Sequence, residues 1–203
     1  MQMSLPLSPE PEVVTACKRE GRVLGTYVTA DTSPKGFQTT AVAELALELD
    51  GIVGSRHRGW VGKADARVPY LKRGTPMRNG RHVSLVSAED LSRVAAVLGT
   101  EHVEPEWLGA NLLLDSLPNF SFLPRGTRLI CEGGAILVVE AQNAPCRIAG
   151  AAISGHVGRQ EIELDFPRLA TRMRGVVATV EHPGIVRPGA SVTARIPEQW
   201  IYR

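Results

Sequence analysis

At 203 residues, with 43% apolar and only 5% aromatic content, the chain matches one domain of ordinary size and is long enough to bury a core without disulfide or metal staples. Its 23 basic and 21 acidic residues leave a formal net charge of +2, too small by itself to argue for nucleic acid or a membrane surface. The 20 glycines and 14 prolines favour many short strands joined by tight turns over a helical bundle.

The first eleven residues, Met1 to Pro11, carry three prolines and one acid, Glu10. They lack the basic start and apolar run of a signal peptide. Residues 1–16 are therefore expected to be a frayed tail and 17–203 the folded domain. No apolar run approaches the roughly 20 residues that span a bilayer. Cys17, Cys131 and Cys146 are odd in number and widely separated, with no CxxC pair. That spacing fits neither a zinc site nor a secreted disulfide framework and points to a reducing cytoplasm.

From Ala43 to Asp50, Leu45, Leu47 and Leu49 alternate with Glu44, Glu48 and Asp50, the period of a half-buried strand. Between Gly51 and Arg81 no periodicity is sustained. This connection is longer than the roughly 12 to 15 residues usual for structureless ones. It is also basic, holding Arg56, Arg58, Lys63, Arg67, Lys72, Arg73, Arg78 and Arg81 against one acid, Asp65. Arg81 to Val86 reads as a strand. Ser87 is an N-cap for a helix with Glu89 and Asp90 in its first turn, and Gly99 is its stop. Leu91, Val94, Ala95 and Leu98 form the buried stripe of that helix.

Thr127 to Cys131 and Ala135 to Ala141 are apolar, β-branched runs joined by Glu132-Gly133-Gly134, a hairpin in which Cys131 points into packing. Gly175 to Glu181 and Ser191 to Ile196 read as a further strand pair around Pro-Gly turns. Many short strands with one long helix give a mainly β fold, an α+β closed barrel that leaves no exposed edge.

A thiolate is a strong nucleophile and a soft metal ligand, favoured by nearby positive charge. Cys146 follows a strand, is preceded by Pro145, which fixes the backbone, and has Arg147 beside it. The bland alternative is a small buried residue, which is the reading taken for Cys17 and Cys131. Gly51 to Gly59, with Arg56, His57 and Arg58, is suited to cradle an anion on backbone N–H groups and guanidinium forks, or is a plain solvated loop. His57 reads as a proton donor, a metal ligand or a surface imidazole. Asn111, in Leu108-Gly109-Ala110-Asn111-Leu112, offers an amide to a pterin ring or satisfies its own turn. No Walker, dinucleotide, GxSxG or HExxH pattern occurs.

In order along the chain, these segments resemble the MOSC family, named for the C-terminal domain of eukaryotic molybdenum cofactor sulfurase. Gly51 to Gly59 resembles the GxxGDRHxG motif, and Arg81 to Ser87 the strand that leads into the helix. Leu108 to Leu112 resembles the GxN motif, Leu123 to Thr127 the following barrel turn, Pro145-Cys146 the PC pair, and Gly175 to Val192 the closing strands. The likeness runs from about Val23 to Ile196. Two positions depart from the pattern: Ser55 stands where the family usually has Asp, and Ala110 where a larger polar residue is common.

The resemblance implies a mixed β-barrel of the pyruvate-kinase-barrel-like type with a few flanking helices. It makes Cys146 the ligand of molybdenum or the carrier of a persulfide, and Arg56, His57, Arg58, Asn111 and Arg147 the residues that hold molybdopterin. It implies either a reductase of N-hydroxylated compounds served by a separate electron-donor reductase, or a sulfur carrier loaded by a cysteine desulfurase. A barrel with no redox role is the third reading. Pyridoxal phosphate belongs to a separate, larger domain of the eukaryotic protein and is not expected on this chain. A zinc site from His57, His82 and Cys146 has no supporting ligand spacing.

Overall fold

The protein is described by a computed structural model over residues 12–29 and 37–201. The expected tail, Met1 to Pro11, lies outside the described residues. Of the remainder of 1–16, Glu12–Val14 forms a short strand antiparallel to Gln199–Ile201.

Seven strands close a mixed barrel. In chain order they are β1 (Cys17–Val28), β2 (Val83–Ser87), β3 (Leu112–Asp115), β4 (Arg128–Cys131), β5 (Ile136–Gln142), β6 (Val176–His182) and β7 (Ser191–Ile196). Around the barrel they run β7-β4-β5-β6-β2-β3-β1, and β1 pairs back onto β7 to shut it. All neighbours are antiparallel except β2 and β3, whose crossover carries α1 (Ala88–Leu98). α2 (Arg147–Val157) and α3 (Ile162–Leu169) follow β5.

The barrel interior is aliphatic. Val83 and Leu85 of β2, Leu129 of β4, Leu137 and Val139 of β5 and Ala178 of β6 are all buried there. Strand periodicity turns the alternate residues outward. Leu45 and Leu47 fill one end from the strand Leu45–Glu48, which lies between Gly51–Ile52 and Gly184–Val186. Leu117 and Phe120 fill the other, after β3. Leu49, expected on the buried face, is exposed because the strand stops at Glu48 and turns.

α1 forms as its sequence dictates. Ser87 is extended and its Oγ accepts from the Asp90 N–H at 3.1 Å, and Gly99 ends the helix in the left-handed region at φ 63°. Leu91, Val94, Ala95 and Leu98 pack with Ile153 of α2 and Phe166 of α3 into a second core on the outer wall. Gly150 lets α2 and α3 approach, since a Cβ there would lie 2.6 Å from the Glu163 carbonyl oxygen.

Three expectations are corrected. Among the described residues two helices of eleven residues, α1 and α2, stand where one long helix was expected, and with α3 they are the few flanking helices of the barrel. Gly175 to Glu181 and Ser191 to Ile196 do not pair: β6 lies between β5 and β2, and β7 between β4 and β1. Barrel closure claims both edges of each, and the intervening Gly184–Val186 pairs with Leu45–Glu48 instead. The long basic connection, read as a loop without periodicity, contains a hairpin of Val61–Lys63 with Pro76–Arg78.

Candidate functional site

A cleft of about 440 Å³ opens on the outer wall of the barrel, and its lining includes Cys146, Arg56, His57, Asn111 and Arg174. Its floor includes Ser84 of β2 and Val177 of β6, neighbours across the sheet. One side is the start of α2 with the 3-10 turn Pro105–Leu108, and the other is the basic connection with Arg56, Lys63 and Arg67. Asp65 is the one carboxylate among the described residues that line it.

Cys146 occupies the N-cap of α2 in an extended conformation, and its carbonyl accepts the first helical hydrogen bond, from Gly150 N–H, at 3.0 Å. Its side chain makes no cap hydrogen bond to the helix. The sulfur thus lies at the positive end of the helix, where first-turn N–H groups have no helical acceptor. Cys146 is half-buried. Arg174 Nη1 donates to its Sγ at 3.4 Å.

Arg174, near the start of β6, is 5% exposed. It spends Nη1 also on the Ala144 carbonyl at 2.8 Å and Nη2 on the Leu108 carbonyl at 3.1 Å, leaving Nε buried and without an acceptor. Burial holds its pKa below the ordinary guanidinium value, Cys146 pulls it back up and Arg67 pushes it down. Its backbone is fixed by the next residue. Gly175 has φ 73° and passes so close to β2 that a Cβ would fall 1.9 Å from the Leu85 carbonyl oxygen. Gly175 N–H donates to Ser121 Oγ at 2.7 Å, and Ser121 Oγ donates to the buried Asp90 carboxylate at 2.6 Å.

Arg81 is held from the other side. Its Nη2 donates to Asn143 Oδ1 at 2.7 Å, and Asn143 Nδ2 donates to Ser84 Oγ at 3.0 Å. Burial, then Arg67 and Arg174, lower its pKa to about 10, so it stays charged at neutral pH. His57 is lowered from 6.5 by its loss of solvent in the cleft, then by Arg56, Arg81 and Arg67. Arg56 Nε reaches His57 Nε2 at 3.5 Å.

The residues singled out in the sequence divide. Cys146, Arg56 and His57 meet in the cleft. Arg58 reaches its edge, but its Nε donates to both oxygens of Asp50, at 2.8 and 2.9 Å. Asn111 also lines it, with Oδ1 accepting from Ser84 N–H at 3.0 Å and Nδ2 donating to the Tyr27 carbonyl at 3.2 Å. Its amide is thus largely committed to joining β1 and β2. Arg147 is turned away, with Nη2 on Glu163 at 2.6 Å and most of its side chain in solvent. Arg174 and Asn143 carried no local signal. Ser55 keeps a turn role without a carboxylate, its Oγ accepting from His57 N–H at 3.2 Å, and Ala110 is wholly buried. Among the described residues no group of three His, Cys, Asp or Glu is placed to hold a metal. His82 is buried, with Nδ1 accepting from Val180 N–H at 3.4 Å.

The MOSC domain family model matches residues 72–193. A protein of Bacillus subtilis (strain 168), YuaD, named as a candidate in metal-sulfur cluster biosynthesis, is 38% identical over 169 residues, covering 83% of this chain and 86% of its own length. The crystal structure of the Bacillus subtilis YuaD protein superposes with a TM-score of 0.85 at 35% identity, over 90% of this chain and 99% of that one. YiiM from Geobacillus stearothermophilus shares the fold, with a TM-score of 0.51 at 15% identity over 90% of this chain and 74% of its own. No helix among the described residues is long and apolar enough to cross a membrane.

Proposed function

The chain belongs to the MOSC domain family, and on that premise we propose that its cleft binds the molybdenum cofactor with Cys146 as the sulfur ligand, serving a reductase of N-hydroxylated compounds. The observation that carries this is the convergence of a half-buried thiol and a buried guanidinium in a cleft rich in cations. The donor set fits the group. A thiolate is a soft ligand suited to molybdenum, and guanidinium forks suit a pterin phosphate. Arg174 Nε, buried without an acceptor, shows that its charge is not consumed by a carboxylate.

When bound, the cofactor supplies the two-electron chemistry of the reduction, with electrons from a separate reductase in a reducing cytoplasm. The chain itself does the holding. The N-terminus of α2 and Arg174 Nη1 stabilise negative charge at Sγ. Arg81, fixed by Asn143, and Arg56 and Lys63 on the facing side hold the phosphate. Phe37 and the buried Leu108 give part of the cleft an apolar lining. His57 lines the same cleft, with its pKa held below the ordinary imidazole value by partial desolvation and then by Arg56, Arg81 and Arg67.

Molybdenum per chain, measured on protein from a host that makes the cofactor, tests this directly. The native chain is expected to carry near-stoichiometric metal and Cys146→Ser close to none. Equal metal in both, or none in either, sinks the reading.

A second reading is favoured by the name of the Bacillus relative and by the partial exposure of Cys146. Here Cys146 carries a persulfide received from a cysteine desulfurase and passes it to a metal-sulfur cofactor under assembly. The persulfide anion sits in the same positive field. Pyridoxal phosphate has no part on this chain in either reading.

A further inference from the structure

The cleft is better equipped to move sulfur with its charge than to move protons. Among the described residues lining it, the titratable groups besides the cations and Cys146 are Asp65 and His57. Asp65 is paired with Arg67 at 3.2 Å. Neither is hydrogen-bonded to the sulfur, whose polar partner is Arg174 Nη1. Arg81 spends its side chain on the neutral Asn143 amide, and Arg174 spends its own on two carbonyls and Sγ. Their charges are therefore available to an anion entering beside Cys146. Guanidinium groups bind tetrahedral oxyanions as forks.

We propose that Cys146 takes sulfur directly from inorganic thiosulfate, the sulfonate end of which is held by Arg81, Arg174 and Arg67 within the cleft. This rests on the persulfide-carrier reading and gives it a small-molecule donor. Cys146 enters as thiolate, its proton having gone to solvent, and attacks the outer sulfur of thiosulfate. A sulfur–sulfur bond forms on Cys146 as the one in thiosulfate breaks, and the electron pair of the broken bond leaves with sulfite. Thiolate plus dianion become persulfide anion plus dianion, so charge balances with no external oxidant, reductant or proton donor. The persulfide terminus stays in the field of the α2 N-terminus and Arg174, while sulfite departs along the arginines to the open side.

The test uses the full chain, reduced and freed of small thiols, with thiosulfate as the probe. Intact-mass analysis is expected to show one added sulfur on Cys146, with one sulfite released per chain. Added cyanide should then discharge the sulfur as thiocyanate and allow turnover. Cys146→Ala should show none of this. Arg81→Gln should raise KM for thiosulfate about tenfold, the loss of one charge-assisted fork, with kcat changed far less. Arg67→Gln, on a more exposed side chain, should repeat that split should Arg81→Gln not fold. An unchanged KM in both variants overturns the arginine assignment. A parallel incubation with inorganic polysulfide separates the two levels of the argument. Loading from polysulfide but not from thiosulfate overturns this inference and leaves the carrier standing, and loading from neither removes both.

Discussion

The barrel interior and the cleft on its outer wall each contain one cysteine, and the two residues show what each environment is for. Cys131 ends β4 among aliphatic side chains at 3% exposure, and burial pushes its thiol up to about 11. Cys146 is half-buried, with a guanidinium on its sulfur and a helix N-terminus behind it. The same side chain is a small apolar filler in one place and a site for chemistry in the other. The two regions share strands. On β2, Val83 and Leu85 face in and Ser84 faces the cleft. On β6, Val176 and Ala178 face in and Val177 faces out. Strand alternation thus keeps the requirements of stability and of binding on opposite faces of the same strands.

If that division holds, the largest contrast is in thiol reactivity. In the native protein at pH 8, Cys146 should be alkylated while Cys131 reacts slower by a factor of about 100 or more than it does in urea. The sign follows from the raised value: a buried thiol stays protonated and unreactive at pH 8, and its protection should fade as pH rises toward 11. Peptide mass spectrometry after timed iodoacetamide treatment reads both. Native-state labelling of Cys131 at the rate of Cys146 would break the comparison.

Next in size, Leu129→Ala, wholly buried on β4, should lower unfolding free energy by about 3 kcal/mol. Urea titration measures this, and Cys146 should be alkylated at the native rate in the fraction that remains folded. Smallest is Arg147→Ala. Its pair with Glu163 is exposed, so the change should cost less than about 1 kcal/mol and alter molybdenum or sulfur loading of Cys146 less than about twofold, in contrast to the arginines of the cleft.

The parts of the molecule that were legible in the sequence are those where one local signal suffices. α1 announces itself by the Ser87 cap, the Gly99 stop and a stripe at helical spacing, and the β4–β5 hairpin by its glycine turn. β1 escaped because Lys18, Arg19, Glu20 and Arg22 interrupt it and its buried residues, Val23, Gly25 and Thr26, gather at one end. α2 escaped because its cap is a cysteine and Gly150 and Gly155 dilute its helix-forming signal. α3 carries Pro167 within it, which reads as a helix breaker.

The site shows the same divide. Cys146, Arg56 and His57 were visible as residue types suited to anion and sulfur chemistry. Arg147 attracted notice by adjacency alone, yet a residue that opens a helix points away from its neighbour at the cap. Arg174 comes within reach of Cys146 across 28 residues, through a turn set by Gly175. The nearest signal was that glycine, whose left-handed φ and close approach to β2 fix the arginine before it.

The seam at which β1 meets β7 joins the first long strand of the barrel to its last, from Cys17 opposite Ile196 to Arg22 opposite Ser191. During synthesis, then, the β1 edge has no partner on that side until nearly the whole domain has emerged, and contacts so distant in sequence form slowly. The charges that hid β1 from its pattern, Lys18, Arg19, Glu20 and Arg22, lie along that waiting edge. Charged residues there discourage another chain from pairing with it first, so the residues that obscure the strand in the sequence also protect it while the barrel is still open.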